Sequence, residues 1–236
     1  MIRLDKYLAD MGCGTRQEVK KLIRSGQVSV DGAVVKKPET KVEQTVQEVC
    51  LNGEKVGYES FEYYMLNKPA GVISATEDRS CQTVVDLIKE KKRKDLFPVG
   101  RLDKDTEGLL LITNDGELAH RLLSPKKHVD KCYFARVSGK VTENDVRSFE
   151  NGVNIGSLEQ PEITMPGKLE IITSDEISQI RLTIQEGKFH QVKRMFQAVD
   201  KEVIYLKRLR MGTLVLDENL SIGEYRSLTK EELEKL

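Results

Sequence analysis

The chain of 236 residues has no tryptophan, and its apolar runs are short. Gly108–Thr113 falls far below the roughly 20 residues of a membrane-spanning helix. The N-terminus, Met1-Ile-Arg-Leu-Asp-Lys, carries no apolar stretch of the kind that opens a signal peptide, so a cytoplasmic protein is expected. Cysteine is scarce. Cys13, Cys50, Cys81 and Cys132 lie 37, 31 and 51 residues apart, which excludes the close pairs of a zinc knuckle or redox dithiol and leaves reduced thiols in or near a core. His120, His128 and His190 have no Asp, Ser or Cys at triad or metal-site spacing, and none is given a catalytic role; His190 reads as structural. A glycine-rich phosphate cradle is also missing. Neither a cofactor nor a metal is expected.

Net charge is zero, with 38 basic and 38 acidic residues, and a neutral chain gives no global pull on nucleic acid. The distribution is uneven. Residues 1–41 hold nine Lys/Arg against five Asp/Glu, residues 188–210 hold seven against two, and five of the six residues from Lys89 to Lys94 are basic. Such segregation fits local patches that meet phosphate, although a charged run by itself is more often just a solvated face.

Leu4, Tyr7, Leu8 and Met11 recur at helical spacing, and Gly12-Cys13-Gly14 ends that helix. Thr15 with Glu18 forms a capping-box pattern, predicting a helix over 16–25 that buries Val19, Leu22 and Ile23. Its other face carries Arg16, Lys20 and Arg24, a like-charge row that opposes an isolated helix and that an anionic partner would relieve. Asp31-Gly32 between valine-rich segments predicts a hairpin, and Val46–Leu51 a third strand. These features set a first domain at residues 1–57, with polar Glu54–Ser60 as the linker, and a second at 58–236. In the second, strands are expected at Tyr63–Leu66, Leu109–Thr113, Tyr133–Val137 and Ile180–Ile184, and helices at Thr83–Lys92, Gly116–Leu123, Glu143–Asn151 and Gln191–Val199. Their irregular alternation favours an α+β fold whose mixed sheet is largely antiparallel and flanked by helices.

The densest chemistry lies in Gly100-Arg-Leu-Asp-Lys-Asp-Thr-Glu-Gly-Leu-Leu-Leu-Ile-Thr. Arg101, Asp103, Lys104, Asp105 and Glu107 fall within seven residues, directly before an apolar strand. Charges at the entrance to a buried strand are costly unless paired or used. A carboxylate beside Arg or Lys is favoured in its ionised form, as a nucleophile or base must be. A charged surface loop is the plain alternative.

This segment resembles the signature of the pseudouridine synthases, Gly-Arg-Leu-Asp followed by Thr-Glu-Gly-Leu-Leu. Tyr64-Met-Leu-Asn-Lys-Pro-Ala-Gly resembles the strand and turn that open their catalytic domain, and Glu186-Gly-Lys-Phe-His-Gln-Val-Lys-Arg-Met-Phe their later basic motif. The resemblance implies that Asp103 is the catalytic carboxylate, Tyr133 packs on the target base, and Lys193 is the basic residue of the site, where many relatives carry Arg. The first domain, on Arg3-Leu-Asp-Lys-Tyr-Leu, Ser25-Gly-Gln-Val-Ser-Val-Asp-Gly and Lys36-Lys37-Pro38, resembles the small RNA-binding domain named after ribosomal protein S4. RNA would then be met by Arg3, Lys6, Arg16, Lys20, Arg24, Arg101 and Arg194. The pairing of the two domains marks the branch acting on ribosomal RNA. Ser124-Pro-Lys-Lys-His and Leu158–Ile172 resemble its small-subunit member, which implies uridine 516 of 16S rRNA as the target, with a large-subunit rRNA as the alternative. The protein would act as a monomer.

In that reaction the bond between N1 and C1′ breaks, the base turns, and C5 joins C1′. The base must first leave its stack, at about a few kcal/mol. Asp103 would attack C1′, attack C6, or take a proton from C2′, routes the sequence leaves open. A non-catalytic ribosome-assembly factor would share the first domain but leaves the charged 100–107 turn unexplained. A methyltransferase would need a glycine-rich nucleotide turn, which is missing.

Overall fold

Thr15 caps its helix as the sequence indicates. In a computed structural model describing all 236 residues, its hydroxyl accepts from the Glu18 amide at 3.3 Å and the Glu18 carboxylate accepts from the Thr15 amide at 2.7 Å. This reciprocal cap contributes about 1 kcal/mol. Around it runs the N-terminal unit: β1 (Ile2–Arg3), α1 (Leu4–Asp10), α2 (Arg16–Arg24), β2 (Val28–Val30), β3 (Ala33–Val34), β4 (Lys41–Val42), β5 (Val49–Leu51) and β6 (Glu54–Lys55). The two helices bury Leu4, Tyr7, Leu8, Val19 and Ile23 with Val28, Val30, Val42 and Val49. Leu22 is only half-buried. The sheet order is β3-β2-β5-β6, and β1 pairs with β4 separately.

The third strand is shorter than expected because Val46 and Gln47 turn back on the Glu43 carbonyl. The supposed linker is packed. Glu54–Lys55 pairs with β5, and the Tyr58 ring lies 4.8 Å from that of Tyr7 and donates its hydroxyl to Asp10. The unit accordingly extends to Glu62 and takes in Lys89–Leu96.

The second unit, Tyr63–Ile88 with Phe97–Leu236, runs β7 (Tyr63–Lys68), β8 (Phe97–Pro98), β9 (Glu107–Thr113), α3 (Gly116–Leu123), β10 (Lys131–Ser138), α4 (Glu143–Asn151), β11 (Lys168–Thr173), β12 (Ile177–Ile184), α5 (Gln191–Gln197), β13 (Glu202–Met211), β14 (Leu214–Val215), β15 (Tyr225–Ser227) and α6 (Lys230–Glu234). One sheet has the order β11-β12-β10-β13-β9-β7-β15, with β8 on β9 and β14 on β13. Its ladders are antiparallel except β9 with β13, so the mixed, largely antiparallel α+β class holds. β9 is an apolar run because Leu109–Ile112 is buried on both faces. Met65, Leu109 and Leu111 pack with Leu118, Ala119 and Leu122 of α3.

Residues 83–92 form no helix. Thr83 and Asp86 exchange the hydrogen bonds of a helix start, but only isolated turns close beyond them. Adjacent Val84 and Val85 are stiff at χ1. From Lys89 the chain belongs to the N-terminal unit, where the Glu62 carboxylate accepts from the Lys92 and Arg93 amides. No helix in the chain is long and apolar enough to cross a membrane.

Candidate active site

Asp103 lies in the turn that enters β9, and that turn is pinned from behind. Lys68, at the end of β7 and fully buried, donates its ammonium to the carbonyls of Pro69 (2.9 Å), Asp103 (3.1 Å), Lys104 (3.3 Å) and Thr106 (2.9 Å). Burial pushes its pKa down to about 8, while Asp105, Asp103 and Glu107 pull it up. The Ser74 hydroxyl donates to the Leu102 carbonyl and accepts from the Leu102 amide. Gly71 N–H closes on the Lys104 carbonyl at 2.7 Å. The turn therefore has little freedom to carry Asp103 elsewhere.

One open cleft is lined by Arg101, Asp103 and Thr106 from this turn, Tyr133 from β10, and His190 and Lys193 from the start of α5. The parallel pairing of β13 with β9 brings Lys207 and Arg208 into register with Glu107 and Gly108. Because β10 is the next strand beyond β13, Tyr133 falls beside the turn. Here Gly108 is required: at φ +99°, a Cβ would lie 2.3 Å from the Arg208 carbonyl oxygen.

Lys193 Nζ holds Asp105 with both oxygens, at 2.6 and 2.8 Å, and stands 3.4 Å from Asp103 Oδ2. Its bond keeps the Asp105 carboxyl below the usual carboxylate range, against burial. On the other side, His190 Nε2 is 3.5 Å from Asp103 Oδ1. Buried Gln191 shapes the preceding loop, accepting from the Lys188 amide and donating to Glu186. Asp103 thus faces a cation on one side and an imidazole on the other, with its side chain about a quarter exposed. The carboxylate lies within reach of a ligand, in the cleft that Tyr133 also lines.

A family model described as RNA pseudouridylate synthase matches residues 62–198, more than half of the chain. The chain belongs to this family. A model of the S4 domain matches residues 2–48 of the synthase. An uncharacterized RNA pseudouridine synthase of Bacillus subtilis is 53% identical over all of this chain and 98% of its own length. The ribosomal small subunit pseudouridine synthase A of Vibrio cholerae is 42% identical over 98% of each. A crystal structure of a pseudouridylate synthase superimposes with a TM-score of 0.68 at 38% identity, covering 100% of this chain and 99% of that one.

The synthase brings Asp103, Tyr133, Lys193 and Arg101 into one cleft. Arg194 is turned away to the loop, donating to the Ile155 and Phe189 carbonyls and to the Glu162 carboxylate. In the S4 unit, Arg3 grips Asp5 through two bonds, and Arg16 and Lys20 approach the same carboxylate at 3.7 and 3.9 Å. Burial raises the Asp5 pKa, but Arg3 chiefly, with Arg16 and Lys20, holds it below its ordinary value. Asp5 is thus a buried anchor for three cations. Lys6 pairs with Asp10 at 2.6 Å, and Arg24 is exposed. Sequence reasoning missed Lys68, Asp105, His190 and Gln191 as parts of the site. Lys68 lay within a quoted motif, yet three of its four acceptors come from a segment some 35 residues away, which spacing cannot show.

Proposed function

We propose that this synthase isomerises a uridine of small-subunit ribosomal RNA, uridine 516 of 16S rRNA, in the cytoplasm, with Asp103 as the catalytic carboxylate. The observation that carries the reading is the convergence of Asp103, Tyr133 and Lys193, from three separate segments, on one cleft. The likeness of the whole chain to a small-subunit synthase supports the choice of RNA.

The everted uridine enters the cleft against the Tyr133 ring, and that contact with basic contacts to phosphate offsets the cost of unstacking. Asp103 acts in its ionised form. All three routes, at C1′, at C6 or at the C2′ proton, begin from that state. Lys193 stands 3.4 Å from the carboxylate while Asp105 restrains the ammonium. The N1–C1′ bond breaks, the base turns, and C5 bonds to C1′. The proton on C5 is lost to solvent and N1 regains one, so substrate and product are isomers.

The RNA target is tested by mapping pseudouridines in ribosomal RNA from a strain lacking the gene. Position 516 of 16S rRNA is expected to revert to uridine. Loss from a large-subunit position instead would overturn the small-subunit assignment and leave the chemistry standing.

A further inference from the structure

Phe189 is 73% exposed, between Lys188 and His190, which both line the cleft. Its ring is stacked on that of the next residue, His190, with centroids 3.8 Å apart and planes 20° from parallel. Here the stack accompanies a left-handed backbone at His190, φ 47° and ψ 35°, a conformation that side-chain-bearing residues adopt uncommonly. The turn is held: Arg194 donates to the Phe189 carbonyl at 3.1 Å, and Gln191 ties the loop just before it. The held turn points His190 Nε2 at Asp103 while its ring backs the Phe189 ring. A rigid aromatic surface therefore runs from the catalytic carboxylate to the solvent.

Resting on the reaction proposed above, we infer that the Phe189–His190 stack is a platform for the base of a nucleotide flanking the everted uridine. Everting the target deprives its neighbours of a stacking partner, and an exposed aromatic ring restores one. An open aromatic face accepts any base, since all four present a π surface. The ring would hold the strand in register with Asp103 and contribute to presentation of the uridine without touching its reacting atoms. Phe189 is in this sense a positioning residue.

The test uses the full-length enzyme and an RNA that the wild type modifies, carrying 2-aminopurine on the 5′ or the 3′ side of the target. Binding to wild type is expected to quench the fluorophore at one of these positions. Phe189→Ala should lose the quenching and lower kcat/KM by about 5- to 100-fold, the range expected for one base–aromatic stack. Phe189→Tyr should restore both, whereas Phe189→Leu, of similar bulk but without a π face, should not. Restoration by Leu as good as by Tyr, or unchanged turnover and quenching in the Ala variant, would overturn the inference. If the Ala variant loses quenching while tritium release by wild type on the same RNA persists, the reaction and the platform both stand. Failure of the platform tests, with that release intact, removes only the platform.

Discussion

Four carbonyl oxygens converge on the Lys68 ammonium, three of them from the segment 103–106 that carries Asp103. Burying an ammonium costs several kcal/mol unless its protons are satisfied, and here every one is shared. Removing the charge should therefore loosen the turn. Burial places the folded-state pKa at about 8, below the ordinary 10.5. Between these values the unfolded chain binds more protons than the folded one, so this group alone makes stability rise with pH over that window. Turnover should move the other way, because a neutral amine has two protons for four acceptors. A pH–rate profile is expected to fall above about pH 8 without loss of fold by circular dichroism. A rate that stays level to pH 10 would show that the charge on Lys68 does not hold the loop.

β9 and β13 supply the only parallel ladder of the large sheet, and at Gly108 it leaves no room for a Cβ. Gly108→Ala would force apart the strands that set Asp103 beside Tyr133. The expected cost is about 3 kcal/mol or more, from backbone collision and a strained φ. Urea denaturation would measure it, and a loss below 1 kcal/mol would mean that the crossing yields easily. The sequence disclosed much at this level. β7, β9, β10 and β12 were legible because their apolar residues run continuously or alternate, and α3 and α4 because polar caps precede helical periodicity. The ten residues of β13 were not. Its side chains include Lys207, Arg208 and Arg210, and two shifts of register against β10 break the two-residue alternation. Thr83–Lys92 misled in the opposite sense, with helical spacing but a chain that turns into the other unit. The cleft followed the same division: the motifs marked the segments that carry Asp103, Lys193, Lys68 and His190, but that Lys68 and His190 reach the 103–106 turn is seen only in the fold.

A net charge of zero conceals how the molecule divides its cations. In the S4 unit they collect around buried Asp5 and along α2; in the catalytic unit they edge the cleft. We expect Arg16, Lys20 and Arg24 to meet phosphate. Replacing all three with Ser should weaken RNA binding and make the slope of log affinity against log salt shallower by about 2, since each contact to a single strand contributes about 0.7. Titrations across a range of salt would reveal this, and an unaltered slope would remove α2 from the interface.

The proposed chemistry rests on one carboxylate, beside which Lys193 stands at 3.4 Å and whose turn Lys68 pins. Asp103→Asn preserves shape and hydrogen-bonding capacity while removing the charge. Tritium release from RNA labelled at C5 of uridine reports the isomerisation directly. The expected result is a folded protein that binds the RNA as wild type does and releases no tritium above background. Release at the wild-type rate would show that Asp103 is not the residue that begins the reaction.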